Sequence, residues 1–138
     1  MESHASENIF LAPGKGSHLR SISRGIDLDK IENVLTEEEK GSLKQLGQMV
    51  RLWGTTSERS NILRTMKKDA HVLFVPSGTG TDQFYGQAFL TIHNAPLARR
   101  MEELGIWPED GRNYEHIFFI KDFREISIPK KDVNKIDN

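Results

Sequence analysis

The segment Met49–Gly54, with the sequence Met-Val-Arg-Leu-Trp-Gly, most constrains how this chain folds. It predicts a strand that presents Trp53 beside a turn, because a helix start follows at once in Thr55-Thr56-Ser57-Glu58-Arg59. The inner residues of such a strand can anchor it while Trp53 stays free to stack on a ligand. A flat aromatic ring beside arginines suits a nucleobase, which gives a first hypothesis for binding.

The length and composition indicate one intracellular domain. The chain has 138 residues, the size of one ordinary domain, so we expect residues 1–138 to fold as a single unit. It contains no cysteine, which excludes disulfides and thiolate zinc sites and favours a cytoplasmic setting. No apolar run approaches the roughly 20 residues that span a bilayer, and no secretory signal is visible, so we expect no membrane partner.

The net charge of −1 conceals an uneven distribution of charge along the chain. Residues 27–39 carry six acids against one base, whereas residues 44–68 carry six bases against one acid. This pattern predicts an acidic face and a basic face, although two ordinary solvated surfaces would give the same composition.

The periodicity of apolar residues and the turn signals predict an α+β fold. The strands are expected at residues 8–12, 48–53, 71–75, 84–92, 116–120 and 125–128, and the helices at 27–35, 36–46, 57–66 and 94–104. We expect the last two strands to pair with each other across residues 121–124. Short connections between strands favour a small, curved, mixed and mostly antiparallel β-barrel flanked by helices, followed by a frayed tail at residues 130–138.

Three local signals refine this prediction. Thr36 and Glu39 have the spacing of a capping box at a helix start. Asn94 is a helix N-cap, and Gly105 closes the helix that follows it. Gly86, inside a long strand, indicates a bulge or a close approach of backbone to a neighbour.

No motif supports catalysis, a metal or a cofactor. Gly14-Lys15-Gly16-Ser17 lacks the spacing of a nucleotide-phosphate loop, although its basic tip could touch a phosphate backbone. The histidines are isolated in sequence, and the carboxylates of Glu37–Glu39 are explained by the capping box. A triad assembled in space stays open. We therefore expect no catalytic residue, no bound metal and no cofactor.

The aromatic residues at strand ends and in loops are the strongest binding candidates. Trp53, Tyr85, Trp107 and Tyr114 occupy such positions. Five phenylalanines lie inside apolar runs that are typical of a core, namely Phe10, Phe74, Phe89, Phe118 and Phe119. Burying Trp or Tyr requires partners for their polar atoms, so these positions often form the rims of pockets. Plugging the end of a barrel is the alternative role for Trp53 and Trp107.

Several segments together resemble readers of modified bases. Val50–Thr56 resembles the G-V-W-(S/A)-(S/T)-T stretch of YTH domains, and Phe84–Phe89 resembles their F-x-G-x-A-x strand. The part from Trp107 to Pro129 is more similar to EVE domains and to the N-terminal DNA-reading domains of McrB-type modification-dependent restriction proteins. All belong to the PUA-like superfamily, and the resemblance covers roughly residues 48–129.

The resemblance implies a site that holds a flipped base. Trp53 would form one wall of an aromatic cage, and Gly54 and Thr55 would hydrogen-bond the base. The second cage tryptophan of YTH domains has no clear counterpart, so Trp107 or Tyr114 would fill its place, with Tyr85 as a further base contact. The modified base, methylated adenine or a modified cytosine, stays open.

The expected partner is modified duplex DNA in preference to RNA, with a nuclease or motor on another domain or subunit. Basic side chains would bind the phosphates, namely Lys15, Arg20, Arg59, Arg64 and Lys67. Three alternatives stay open at this point: an RNA-binding YTH/EVE-like reader of methylated adenine, a small enzyme that acts on nucleic acid or nucleotides, and a protein-interaction domain that uses the acidic helices.

Overall fold

The computed structural model describes residues 9–14, 20–56, 68–76, 82–111 and 114–127. The strands are β1 (Ile9–Gly14), β2 (Ile26–Asp27), β3 (Met49–Thr55), β4 (His71–Pro76), β5 (Asp82–His93) and β6 (His116–Ser127). The helices are α1 (Arg20–Ser23), α2 (Glu37–Leu43) and α3 (Ala95–Glu103), with 3₁₀ turns at Leu28–Lys30, Glu32–Val34 and Lys44–Leu46. The helix predicted at residues 57–66 and the tail at 130–138 lie outside the described residues.

The described strands form one sheet in the order β1-β4-β5-β6-β3-β2. β1 runs parallel to β4, and every other neighbouring pair is antiparallel. The α+β class and the mixed, mostly antiparallel sheet are therefore confirmed. Among these strands the sheet is open at its β1 and β2 edges and does not close into a barrel. Only Ile26 and Asp27 of β2 pair with β3, and a strand of two residues is too short to close a barrel.

The two faces of the sheet carry separate cores, because successive side chains of a strand point to opposite faces. One face, the helix-side core, is covered by the 3₁₀ turns, α2 and α3, and buries residues that include Val50, Leu52, Leu97, Met101, Trp107, Tyr114, Ile117 and Phe119. The other face, the Trp53-side core, buries Ile22, Trp53, Val72, Phe74, Ala88, Phe118 and Ile120.

The helix predicted at residues 27–35 is wrong, since this segment forms β2 and two 3₁₀ turns. The Asp27 carboxylate accepts a hydrogen bond from the Asp29 amide at 2.9 Å and so starts the first turn. Leu28 and Ile31 still face the helix-side core, because side chains three residues apart lie one above the other in a 3₁₀ helix. The spacing of apolar residues thus predicted correctly which side chains are buried, but it predicted an α-helix where the chain forms 3₁₀ turns.

The capping box is confirmed. The Thr36 hydroxyl accepts from the Glu39 amide and the Glu39 carboxylate accepts from the Thr36 amide, each at 3.0 Å. The predicted helix ends as α-helix at Leu43, continues as the 3₁₀ turn to Leu46, and stops at Gly47, whose φ is +102°.

The predicted pairing of residues 116–120 with 125–128 is wrong. They belong to one strand, β6, and both parts pair with β5, which is equally long at 12 residues. The polar run at 121–124 is not a turn, because Phe123 within it packs against the Trp53-side core. A single left-handed residue, Asp122 with φ of +55°, accommodates the local irregularity of the strand.

Gly86 has the close contact that its position predicts. A Cβ atom there would lie 2.5 Å from Cδ1 of Ile120, and the β5–β6 register shifts between Tyr85 and Gln87. Among the described residues, no helix has the length and apolar character needed to cross a membrane.

Asn94 joins α3 to the rest of the helix-side core. As predicted, it is the N-cap, and its side-chain oxygen accepts from the Leu97 amide at 2.9 Å. Its side-chain nitrogen donates to the carbonyl of Val34, also at 2.9 Å. One side chain therefore both starts the helix and fastens it to the 3₁₀ segment.

Replacing Asn94 with Ala should lower the free energy of unfolding by about 1–3 kcal/mol, since it removes a cap and a largely buried hydrogen bond. Urea denaturation followed by circular dichroism measures this change. Asn33, which is exposed on a 3₁₀ turn, is the matched control, and Asn33→Ala should change stability by less than about 0.5 kcal/mol. Equal effects of the two substitutions would contradict the role given to Asn94.

Candidate nucleic-acid interface

Trp53 lies near the end of β3 within a group of three aromatic rings. Its ring centroid is 6.3 Å from that of Phe74 on β4 and 5.7 Å from that of Phe118 on β6. Phe74 and Phe118 stack on each other at 6.0 Å. We call Trp53, Phe74 and Phe118 the aromatic trio. The indole is only 4% exposed, so it is covered, in contrast to the accessible ring that the strand-end position predicts.

Phe74 and Phe118 are core residues, as predicted, but the sequence did not reveal that they flank Trp53. The β3–β6 register, which pairs Trp53 with Phe118, places Phe118 beside Trp53. This pairing is not visible in a local pattern, because the two residues are far apart in the chain. Residues 57–67 and 77–81, which follow β3 and β4, lie outside the described residues.

Gly54 faces away from the aromatic trio and into the helix-side core. A Cβ atom on Gly54 would lie 2.6 Å from Cη2 of Trp107 and 2.8 Å from the carbonyl oxygen of Tyr114. Only the missing side chain allows the Trp107 ring and the Tyr114 backbone to come so close to β3.

Trp107 and Tyr114 are held in place by hydrogen bonds. The Trp107 indole nitrogen donates to the hydroxyl of Ser21 at 2.8 Å, and that hydroxyl donates to the carbonyl of Leu52 at 2.6 Å. The Tyr114 hydroxyl donates to the Asp110 carboxylate at 2.5 Å. The two rings meet edge to face with centroids 6.1 Å apart. They therefore support β3 from the helix side.

The structure does not bring the predicted cage residues into one group. Trp53 and Gly54 are consecutive in a strand, so Trp53 points to one face and the residues that contact Gly54 lie on the other. Thr55 shares the face of Trp53 and is 2% exposed. Its hydroxyl is 3.2 Å from the carbonyl of Thr56. The end of β3 thus places a buried hydroxyl next to the aromatic trio.

Tyr85 belongs to a separate patch of aromatic and basic side chains. Its ring stacks on His71 with centroids 5.7 Å apart, and its hydroxyl is within hydrogen-bonding distance of Nδ1 of His71. The guanidinium of Arg124 lies 5.7 Å from the centroid of the Tyr85 ring. Burial raises the pKa of the Tyr85 phenol, and the charge of Arg124 acts against that shift. Because Tyr85 alternates with Phe84 of the Trp53-side core, this patch lies on the other face of the sheet.

One of the five predicted phosphate-binding residues lies in the described part of the chain. Arg20 is exposed and begins α1. Lys15, Arg59, Arg64 and Lys67 lie outside the described residues.

The Arg51 side chain holds α1 against β3 and therefore has a structural role. Its guanidinium donates to the carbonyls of Ile22 and Ser23 at 2.5 and 2.8 Å and lies 3.7 Å from the centroid of the Phe123 ring. Burial lowers the pKa of Arg51, while the nearby charge of Glu125 acts in the opposite direction. The helix that presents Arg20 is therefore fixed to the strand that carries Trp53.

The contact at Gly54 gives a stability prediction. Gly54→Ala should lower the free energy of unfolding by about 1–3 kcal/mol, because Trp107 and the Tyr114 backbone must move to admit a methyl group. A Cβ atom on Gly41, within α2, would have no neighbouring atom within 4 Å, so Gly41→Ala should stabilise the protein by about 0.5–1 kcal/mol. Urea titrations of both variants measure the difference, and a neutral Gly54→Ala would show that β3 and Trp107 are not tightly packed.

Comparison with known proteins identifies the fold. No protein-family model and no curated protein matches the sequence. The structure is similar to the N-terminal domain of McrB from Thermococcus gammatolerans, which was solved bound to m5C DNA. The TM-score is 0.67, the sequence identity is 14%, and the similarity covers 93% of this chain and 81% of that chain. The similarity confirms that this chain has the fold expected from the McrB-type N-terminal domains.

Proposed function

We propose that this chain is a non-catalytic domain that binds DNA carrying a modified base and takes that base into a site beside Trp53. The likeness of its fold to a McrB domain that is bound to m5C DNA carries this proposal, since it extends over 93% of the chain. The resemblance to McrB-type modification-dependent restriction proteins implies a nuclease or motor, and we assign those activities here to other domains or subunits.

The end of β3 supplies the groups that a base-binding site needs. The aromatic trio is buried, so a base would stack on it by replacing contacts that now cover these rings, and such stacking contributes about 1–3 kcal/mol per base. We assign Gly54 and Thr55, which follow Trp53 in β3, to the edge of the base, and the Thr55 hydroxyl lies on the same face of the strand as Trp53. A methyl group adds only about 0.8 kcal/mol when it is buried, so discrimination also requires the site to exclude water.

Trp107 and Tyr114 contribute to the proposed site from the opposite face. Their contact with Gly54 fixes the backbone that would meet the base, so we assign them a positioning role. Tyr85, with Arg124 above its ring, offers a second stacking surface, and we assign it to nucleotides outside the base site.

Contacts with phosphate would supply much of the affinity. Flipping a base out of a duplex costs a few kcal/mol, which must be offset elsewhere in the interface. Arg20 is exposed beside the strand that carries Trp53, and we assign it to the DNA backbone together with Lys15, Arg59, Arg64 and Lys67. Binding should therefore weaken as the salt concentration rises.

Fluorescence anisotropy with matched oligonucleotides tests the proposal. The probes are duplexes with methylated adenine, 5-methylcytosine, 5-hydroxymethylcytosine or no modification, and single-stranded RNA with and without methylated adenine, each at two salt concentrations. Selective, salt-dependent binding to one modified duplex supports the proposal and identifies its base. Preference for the methylated RNA supports an RNA reader instead, and equally weak binding to every probe contradicts both.

Substitution of Trp53 tests where the base binds. Trp53→Phe should reduce the preference for modified over plain duplex about tenfold, or about 1.4 kcal/mol, because the smaller ring stacks over less of the base. The ratio of the two dissociation constants measures this preference. Leu43→Val, in the helix-side core, is a control that is also destabilising but distant from the aromatic trio, and it should keep the ratio. If the Trp53→Phe protein folds and keeps its preference for modified duplex, the base does not bind beside Trp53.

Substitution of Arg20 tests the phosphate contacts. Arg20→Gln should weaken binding to modified and plain duplexes equally and reduce the slope of log K against log salt by about 0.9, the value for one phosphate contact. Arg99→Gln, which removes an exposed arginine from α3, should leave the slope unchanged. If both variants change the slope alike, the effect comes from net charge and not from a contact of Arg20.

A further inference from the structure

A second group of chemically active side chains lies where β5 ends and β6 begins. His93 is the last residue of β5 and His116 is the first residue of β6, and the two are partners in the antiparallel ladder. Glu115 immediately precedes His116. The sequence shows these histidines as isolated, and the fold of the sheet brings them together.

The three side chains converge on one point. The Nε2 atom of His93 is 2.9 Å from a carboxylate oxygen of Glu115. The two imidazole rings are tilted at 55° with centroids 4.8 Å apart. One ligand atom from each of His93, Glu115 and His116 lies within 4.8 Å of the others.

This spacing suits a transition-metal ion. Nitrogen and oxygen ligands lie about 2.0–2.2 Å from Zn²⁺, so two ligands at 90–110° to each other are about 2.9–3.4 Å apart. The His93–Glu115 distance of 2.9 Å already falls in this range. The ligand atom of His116 lies within 4.8 Å of the other two, so binding an ion would draw it closer to them. Imidazole and carboxylate together favour Zn²⁺ and its neighbours over Mg²⁺ or Ca²⁺, which prefer oxygen ligands.

The backbone beneath the three residues is held in place. His116 pairs with His93 on one side and with Thr55 of β3 on the other. The amide of Asn94, just after β5, donates to the carbonyl of Glu115, just before β6, at 2.9 Å. This hydrogen bond extends the pairing of the two strands by one residue. The backbone of the three ligands is therefore already ordered before an ion binds. The His93 side chain is 59% exposed, so an ion can reach it from solvent.

We propose that His93, Glu115 and His116 form a binding site for one Zn²⁺ ion, with three protein ligands and open positions for water. The ion replaces the proton that otherwise joins His93 to Glu115. It crosslinks β5 to β6 at the end of the sheet, and because it binds the folded chain it raises the stability of that chain. The observations that support this site do not rest on the proposed recognition of DNA.

Isothermal titration of the chelator-treated, full-length protein with Zn²⁺ tests the proposal. We expect one ion per chain, and at least tenfold weaker binding after His93→Ala, His116→Ala or Glu115→Gln. Two controls should bind as the unaltered protein does: Glu102→Gln, a carboxylate that lines the same shallow cleft as Glu115, and His71→Gln, a histidine distant in the fold. Mg²⁺ and Ca²⁺ should not compete.

Histidine NMR of the unaltered protein provides a measurement that does not depend on folding of a variant. Zn²⁺ should shift the imidazole signals of His93 and His116 together and should raise Tm, and the His93→Ala/His116→Ala double variant should show no rise. Unchanged affinity in the double variant would place the ion elsewhere. Absence of saturable binding up to about 1 mM Zn²⁺ would show that His93, Glu115 and His116 contact one another without binding an ion. Either result overturns the proposal.

Discussion

The close contact between Gly54 and Trp107 is the constraint on which the arrangement of the site depends. Because Gly54 has no side chain, the indole reaches β3, and its nitrogen can donate to Ser21 while Ser21 donates to Leu52. These contacts join the loop after α3, the short helix α1 and β3 through buried groups. Since they fix one face of β3, they also fix the direction in which Trp53 leaves the other face. Gly54, which points away from Trp53, can therefore determine the shape of the proposed base site.

The sequence predicted the features that depend on local signals and missed those that depend on pairing between distant strands. The capping box at Thr36 and the cap at Asn94 are local, because one or two side chains bond amides three residues away. The turn expected at residues 121–124 is wrong because polar residues on the exposed side of a strand resemble a turn until the partner strand is known. The site shows the same division. Alternation along β3 separates Trp53 from the neighbours of Gly54, whereas only the register places Phe118 beside Trp53.

Burial of Trp53 limits how much affinity a base can gain there. A base that enters beside the indole replaces contacts within the aromatic trio, and aromatic pairs contribute about 0.5–1.5 kcal/mol each. Stacking on the base returns about 1–3 kcal/mol, so the net gain is small and does not by itself offset the few kcal/mol that flipping costs. Aromatic contacts at this position therefore suit discrimination more than tight binding. The uneven charge of the chain, with six bases against one acid between residues 44 and 68, offers the complementary source of affinity.

The register across three strands relates the two proposed sites to each other. Thr55 of β3, His116 of β6 and His93 of β5 are successive partners in one row. The adjacent row on the same face holds Trp53, Phe118 and Thr91, because residues two apart in a strand share a face. Strands lie about 4.8 Å apart, so His93 is about 10 Å from the backbone of Thr55. That separation exceeds the Debye length of about 8 Å at physiological ionic strength but is well within the length of about 30 Å at 0.01 M salt, so charge at one site acts on the other mainly at low salt. A divalent ion on His93 and His116 would thus add positive potential on the face that carries Trp53, which is the face that the proposed function presents to the phosphate backbone.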